Sequence, residues 1–330
     1  MRAMILAAGF GSRLLPLTDT LPKPMFPVMN RPVMERTIDL LCAHDIRDIT
    51  VNLHHLPAKV TDYFGDGQRF GVKLNWSPEA TILGTAGGIK AAQRYLDGGP
   101  FLVINSDIVV DIDLKQVIDF HFSNRSALTL VVKENDAQGV YDPIEIDADN
   151  RIVRMVKASS KNAPDIPSRV TFTGIQIMEP DIFERIPAGK FYGTTTEVFP
   201  QMVEEKLPVF AFRHEGYWAD IGTRASYLRV HKEILDGKID LDTSQGNSGN
   251  AQIVPPVLVG TGCRLSDYAR IGPYAVVGDG CEIQDGATIE NSVCWAGAVL
   301  RPGCTVRDSI IGHHAVVAEG ETVSEKIRPA

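Results

Sequence analysis

Cys281-Glu282-Ile283-Gln284-Asp285-Gly286-Ala287-Thr288-Ile289 places an aliphatic residue at every sixth position and a small residue two places before it. The pattern extends well beyond this stretch. Aliphatic residues recur at Ile253, Val259, Leu265, Ile271, Val277, Ile283 and Ile289. After a five-residue step the series resumes at Cys294, Leu300 and Val306, and after a second at Ile311, Val317 and Val323. The preceding small position is held by Cys263, Ala269, Ala275, Cys281, Ala287, Ser292, Ala298, Cys304, Ser309 and Ala315. Glu321 breaks the rule only at the end, as a terminal cap would. A helix with 3.6 residues per turn cannot keep a six-residue period on one face. A triangular β-coil with one hexapeptide per side can: the aliphatic residue fills the interior and the small one makes room near the corner.

This resembles the hexapeptide repeats of left-handed β-helices, whose sequence signature is the repeat period. It predicts a β-helix domain over residues 253–330. Gln245-Gly246-Asn247-Ser248-Gly249-Asn250 reads as a linker or exposed loop inside 237–252. Residues 1–236 form a separate domain with a different grammar. Apolar runs at 3–7, 49–53, 72–76, 101–105, 127–132, 152–156, 171–178 and 209–213 read as strands. Helical patterns lie near 32–44, 57–64, 85–96 and 114–123, with Pro32 suited to a first helical position. Such alternation predicts an α/β fold, a mixed and mostly parallel Rossmann-like sheet with helices on both faces. Ligands in such sheets collect beyond the carboxyl ends of the strands, so the loops after the strands are where chemistry is expected.

The 330 residues, 44% apolar and 22% charged, are those of an ordinary globular protein too long for one core. Apolar runs are far too short to span a membrane, and Met4-Ile5-Leu6-Ala7-Ala8 is strand-sized, without a secretory n-region. A net charge of −8 without a long basic run argues against nucleic acid as a partner. A cytoplasmic enzyme is the default. Phosphate-bearing small molecules stay open, because local cations outweigh distant charge. Four of the five cysteines fall on the repeat, Cys263, Cys281 and Cys304 at the small position and Cys294 at the aliphatic one, so they read as buried hydrophobes. Cys42, within an apolar helical pattern, reads as core.

Directly after the first strand, Leu6-Ala7-Ala8-Gly9-Phe10-Gly11-Ser12-Arg13-Leu14 is a glycine-bearing loop with a cation. Glycine lets backbone N–H groups approach anionic oxygens, and an arginine can fork onto a phosphate. Alone, the loop matches neither the dinucleotide fingerprint nor the P-loop, and a tight strand-to-helix turn explains it equally well. Ten residues beyond Arg13 stands Leu21-Pro22-Lys23-Pro24-Met25, a lysine braced between prolines that hold it out of a helix. A solvated surface lysine has little use for such rigidity.

Leu-Ala-Ala-Gly-x-Gly-Ser-Arg-Leu followed by Pro-Lys-Pro resembles the signature of the sugar-phosphate nucleotidylyltransferases, with mannose-1-phosphate guanylyltransferases the nearest likeness. These enzymes join an NTP to a sugar 1-phosphate and release pyrophosphate, and commonly carry a C-terminal left-handed β-helix. The resemblance implies nucleotide contacts from Leu6, Ala8, Gly9, Gly11, Ser12 and Arg13, and from Glu79, Gly84 and Thr85 at the turn Leu83-Gly84-Thr85-Ala86-Gly87-Gly88. Thr85 can cap a helix there and bond the nucleotide as well. It implies that Arg13, Lys23 and Asp107 are catalytic, and that Asp107 and Asp220 hold Mg2+, an ion that prefers hard oxygen ligands. For Asp220, in Trp218-Ala219-Asp220-Ile221-Gly222-Thr223, helix capping is the alternative. Thr173 and Gly174 are implied sugar contacts. Glu197 either touches the sugar or is a helix-start carboxylate. Where relatives carry Glu-Lys-Pro for the sugar phosphate, this chain departs with Lys157-Ala158-Ser159: either Lys157 or Lys161 substitutes from a shifted position, or the sugar phosphate is held differently.

The implied pair is GTP with mannose 1-phosphate. The alternatives are uridylyl or thymidylyl transfer to glucose, N-acetylglucosamine or N-acetylmuramic acid 1-phosphate, and a sugar-nucleotide sensor without chemistry. An acyltransferase β-helix is the remaining option, with His313-His314 its only support; the pair reads as exposed turn residues. The flat coil faces suit self-association into a homo-oligomer.

Overall fold

The computed structural model describes residues 1–134, 142–155, 168–241, 246 and 251–330. Ahead of the repeats the elements are β1 (Arg2–Leu6), β2 (Pro27–Val28), β3 (Arg31–Pro32), α1 (Val33–Ala43), β4 (Asp48–Leu53), α2 (Pro57–Phe64), β5 (Lys73–Pro78), α3 (Gly84–Ala91), α4 (Gln93–Leu96) and β6 (Phe101–Asn105). Then follow β7 (Ile108–Val110), α5 (Leu114–Ser123), β8 (Leu128–Glu134), β9 (Pro143–Ile146), β10 (Ile152–Met155), β11 (Ser168–Met178), α6 (Phe199–Glu204), β12 (Val209–Arg213), β13 (Trp218–Asp220) and α7 (Arg224–Leu235).

The expected strands are present with their ends moved by a few residues; residue 156 lies outside the described residues. Two helix expectations need correction. Pro32 pairs with Pro27 in a two-residue ladder, so α1 opens at Val33 instead. The helix expected over 85–96 breaks at Ala92 into α3 and α4.

The chain separates into two compact units, neither continuous in sequence. One gathers Met1–Gly9, Thr37–Ser106 and Asp111–Trp218; the other gathers Phe10–Arg36, Asp107–Val110 and Ala219–Ala330. The boundary expected at 237–252 marks where the sequence pattern changes, whereas compactness groups the glycine and lysine loops with the repeats.

Among the described residues the first unit holds a nine-stranded mixed sheet. β5, β4, β1 and β6 run parallel in that order, and Ala3 of β1 sits opposite Ile49 on one side and Leu102 on the other. Ala3, Met4 and Ile5 are wholly buried, as expected of a central parallel strand whose sequence is a continuous apolar run. β11 turns the sheet antiparallel against β6, and it pairs along its length with both β8 and β9. A register shift interrupts β11 between Phe172 and Gln176, where Gly174 has φ 86°. A β-carbon there would stand 2.5 Å from the Asn105 side chain at the end of β6, so this bulge requires glycine.

In the second unit the repeats coil into the left-handed β-helix. Their aliphatic residues stack in three parallel columns. One runs Ile253, Ile271, Ile289, Val306, Val323; another Val259, Val277, Cys294, Ile311; the third Leu265, Ile283, Leu300, Val317. The small residues Ala269, Ala275, Cys281, Ala287, Ala298, Cys304 and Ala315 lie in the same interior cluster. The two five-residue steps are tight corners: Asn291 and Asp308 turn there with φ of 45° and 47°.

Strand residues alternate between faces, so Leu258, Val276, Val293 and Ile310 point out of the coil. They are nevertheless buried, at 1%, 0%, 2% and 0% exposure. On the other two sides the outward positions carry Arg270, Thr305 and Thr322, or Arg264, Glu282 and Val316. One face of the coil is therefore an apolar wall, and the segment Phe10–Arg36 and α7 pack on it. Phe26 meets the Trp295 indole edge-on at 4.8 Å, and the Asn30 amide donates to the Val277 carbonyl at 3.0 Å.

Candidate active site

The loop after β1 divides into an open half and an anchored half. At Gly9 a β-carbon would meet nothing within 4 Å, so the fold itself does not require glycine there. Gly11 differs: its φ is 65°, it opens the 3₁₀ turn Ser12–Leu14, and a β-carbon would stand 2.8 Å from the Thr18 methyl. Leu14 and Leu17 are buried and pin the segment. Ser12 and Arg13 are exposed, and among the described residues the Arg13 guanidinium has no hydrogen-bonded or ion-paired partner.

Lys23 opens a 3₁₀ turn, Lys23–Met25, in place of the helix-free loop expected of it, with Pro22 extended before it. Pro24, Met25 and Phe26 are buried and hold the turn down. Lys23 itself is 9% exposed, and its ammonium forms an ion pair with the Asp107 carboxylate. Burying an ammonium is costly unless it is paired, and this pairing satisfies it.

Asp107 leads into β7, which pairs with β13, and the Ile221 N–H donates to the Asp107 carbonyl at 3.0 Å. Asp220, at the end of β13, is thus on the strand beside it. Asp220 does not cap α7. Thr223 does, through a reciprocal capping box with Ser226. The Asp220 Oδ1 accepts the Gly222 N–H at 3.3 Å. A β-carbon at Gly222 would stand 2.8 Å from an Arg13 nitrogen and 3.1 Å from Asp220 Oδ2, so a cation and a carboxylate face the same small space. Arg13, Lys23, Asp107 and Asp220 all belong to this second unit.

In the first unit a buried polar chain supports the strand ends. The Ala7 N–H donates to Asn52 Oδ1 at 2.8 Å, Asn52 donates to Glu79 Oε1 at 2.7 Å, and Glu79 Oε2 accepts the Leu83 N–H at 2.8 Å. Leu6 is half-buried and Ala8 buried beside this chain. Glu79, expected at the nucleotide, spends both oxygens here. The glycines of the 84–88 turn are likewise committed. β-carbons at Gly84 and Gly87 would stand 2.7 Å from the Tyr192 carbonyl oxygen and 2.6 Å from that of Lys190, and one at Gly88 would stand 2.6 Å from Glu79 Oε1. The Ala86 and Gly87 N–H groups donate to the Tyr192 carbonyl at 3.0 and 3.1 Å. Thr85 is not a helix cap; Leu83 holds that position, and the exposed Thr85 accepts the Thr194 N–H at 2.8 Å.

Thr173 is 1% exposed, donates its hydroxyl to the Val131 carbonyl at 2.8 Å and accepts the Trp218 indole N–H on its own carbonyl at 2.8 Å. Its side chain is therefore occupied, and the space beside Gly174 is filled by the Asn105 side chain. Glu197 is half-buried, not an exposed helix-start carboxylate. Its carboxylate accepts the Gly193 N–H at 2.8 Å and the Thr196 hydroxyl. Lys157 and Lys161 lie outside the described residues.

Burial pushes the Cys281 thiol up to about 12 and the Cys304 thiol to about 11, and holds the Cys294 thiol well above its ordinary value, so the stacked cysteines are inert hydrophobes. His314 is exposed, but His313 is half-buried with its ring 5.1 Å from Trp295, a correction to the exposed pair. Among the described residues no helix is long and apolar enough to cross a membrane. The sequence reading missed Asn52, Asn105, Tyr227 and Trp295. The aliphatic outward positions of the repeat were the signal that something docks on that face.

A family model described as nucleotidyl transferase matches residues 2–237, and a GMPPB C-terminal domain model matches 253–327. A UTP–glucose-1-phosphate uridylyltransferase of Synechocystis sp. is 32% identical over 92% of this chain and 84% of its own length. A mannose-1-phosphate guanylyltransferase of Mycobacterium tuberculosis is 29% identical, covering 80% of this chain and 72% of that protein. Among solved structures, HddC from Yersinia pseudotuberculosis, complexed with GMP-PN, superposes with a TM-score of 0.60 at 25% identity, covering 71% of this chain and 99% of that one.

Proposed function

The chain belongs to the nucleotidyl transferase family, and from that premise we propose that it joins GTP to mannose 1-phosphate, giving a nucleoside diphosphate sugar and pyrophosphate. The observation that carries the reading is the Lys23–Asp107 ion pair, with Arg13 and Asp220 converging over Gly222 in the same unit. The guanylyltransferase relatives and the GMP-PN complex of HddC support the choice of nucleotide.

An oxygen of the sugar phosphate attacks the α-phosphorus in line, and pyrophosphate leaves. The attacking phosphate is already anionic, so no general base is needed. The obstacle is electrostatic: two anions must meet, and charge builds on the leaving group. Positioning and neutralisation lower that barrier. Arg13 forks onto the phosphates from its exposed turn, and Lys23 supplies a charge held in place by its buried neighbours. Asp107 and Asp220 would hold Mg2+. The donor set fits: Asp107 leads into β7 and Asp220 ends β13, the strand paired with it, and two hard carboxylates leave the other positions to phosphate oxygens and water, as Mg2+ prefers. Bound there, the ion supplies concentrated positive charge against the triphosphate. For Gly9, Gly174 and Lys157 a substrate contact rests on the family resemblance alone, with open space beside Gly9 in its own unit.

The Synechocystis relative, which spans more of this chain, favours a second reading, UTP with glucose 1-phosphate. Pyrophosphate release measured for the four common NTPs against a panel of sugar 1-phosphates tests both. The pair with the highest kcat/KM decides between them, and no release from any pair sinks the enzymatic reading. The proposal extends to a cytoplasmic homo-oligomer associating through the two polar faces of the β-helix, which sedimentation would check.

A further inference from the structure

We propose that Tyr227 and Trp295 are positioning residues for Lys23, so that the β-helix is a working part of the catalytic device. The inference rests on the assignment of Lys23 to the triphosphate.

The lysine turn ends at Phe26, whose N–H donates to the Lys23 carbonyl at 3.0 Å. Phe26 is wholly buried, with its ring edge-on to both Trp295 and Tyr227. The Tyr227 hydroxyl donates to the Pro27 carbonyl and accepts the Trp295 indole N–H at 2.9 Å. A relay therefore runs from the coil to the backbone four residues past the lysine. Burial raises the Tyr227 phenol well above its ordinary range, so it stays a neutral donor.

Packing alone does not explain the relay. A phenylalanine at 227 would fill nearly the same volume without burying a hydroxyl, which costs free energy unless bonded. What the hydroxyl adds is direction: it fixes one carbonyl of the strap that carries Lys23. The repeat points the same way. The residue after the aliphatic one in this column is Gly260, Gly278 and Gly312 in three coils, and Trp295 in the fourth. The coil departs from its own rule at the place where it meets the lysine turn.

The test is kinetic, on the full chain, with pyrophosphate release as readout. Tyr227→Phe and Trp295→Phe each keep aromatic bulk and should lower kcat roughly tenfold, the scale of one lost hydrogen bond, while KM for the sugar 1-phosphate stays within about twofold. In a Lys23→Ala background Tyr227→Phe should cause no further loss, because it acts through the missing ammonium. A merely structural role would lower kcat equally in both backgrounds, and that result overturns the inference. So does an unchanged kcat in either folded variant beside an inactive Lys23→Ala. A Lys23→Ala enzyme with near-normal turnover instead removes the underlying lysine assignment. Should Tyr227→Phe fail to fold, Trp295→Phe carries the same test.

Discussion

The two glycine turns of this chain, residues 9–11 and 84–88, look alike in sequence and serve opposite ends. Both come after a strand, the first leading into a 3₁₀ turn and the second forming the opening of α3, and both invite the reading of a backbone cradle for a nucleotide. Around Gly9 the structure is open, and Arg13 beyond it reaches solvent. Around Gly84, Gly87 and Gly88 the space is filled by the backbone of residues 190–192 and by Glu79. One turn leaves room for something outside the chain, and the other makes room for the chain itself. Glycine reports that something comes close to the backbone; it does not report what.

The comparison breaks first at Lys23, the buried cation of the turn that follows the open loop. Lys23→Ala should lower kcat by about a hundredfold, roughly 3 kcal/mol of lost electrostatic stabilisation, and, because it leaves the Asp107 carboxylate without its partner, should also lower the melting temperature while the chain still folds. Near-normal pyrophosphate release from a folded variant would refute the role.

A second test concerns the seat of the open loop. The buried His231 accepts the Met29 N–H at 3.3 Å and donates to the Tyr227 carbonyl at 2.9 Å. Burial first, with Arg36 adding to it, lowers its pKa from 6.5 to about 4. The folded chain therefore binds fewer protons than the unfolded one between those values, and stability is full above pH 6.5 and declines as the pH falls towards 4. The loss should reach roughly 3 kcal/mol at most. His121, whose pKa burial also lowers against the opposing pull of Glu179, acts in the same direction. Urea midpoints that stay flat from pH 6.5 to 4.5 would contradict this.

The filled turn is sharpened by the sign of one substitution. Helix propensity alone predicts that Gly87→Ala gains about 1 kcal/mol. The Lys190 carbonyl 2.6 Å away instead predicts a loss of about 2 kcal/mol, read as a lower urea midpoint with m unchanged. On the open side Arg13→Ala should cost about tenfold in kcat/KM and leave stability unaltered, since an exposed cation is partly screened. Gly9→Ala should be smallest for stability, within about 0.5 kcal/mol, and a larger loss of stability would show that turn to be filled as well.

Most of the fold was legible because periodicity reports burial directly. The six-residue step could only stack as a coil, and its two five-residue steps became the tight corners at Asn291 and Asp308. Part of the site was legible for a related reason: a lysine between prolines and a glycine loop with an arginine are unusual enough to stand out singly. Asn52, Thr194 and Trp295 were not. Each is ordinary in its own stretch and gains meaning only from a partner: 27 residues away for Asn52 with Glu79, 109 for Thr194 with Thr85, 68 for Trp295 with Tyr227.

Sequence alone was enough to set the α/β alternation, the β-helix and the identity of the chemically capable residues, because those depend on the local order of apolar, small and charged side chains. Tertiary structure decided which of these residues meet: Lys23 with Asp107, Thr223 as the cap that frees Asp220, and the lysine strap with the apolar wall of the coil. Such meetings depend on distances between segments far apart in the chain, which no local pattern encodes.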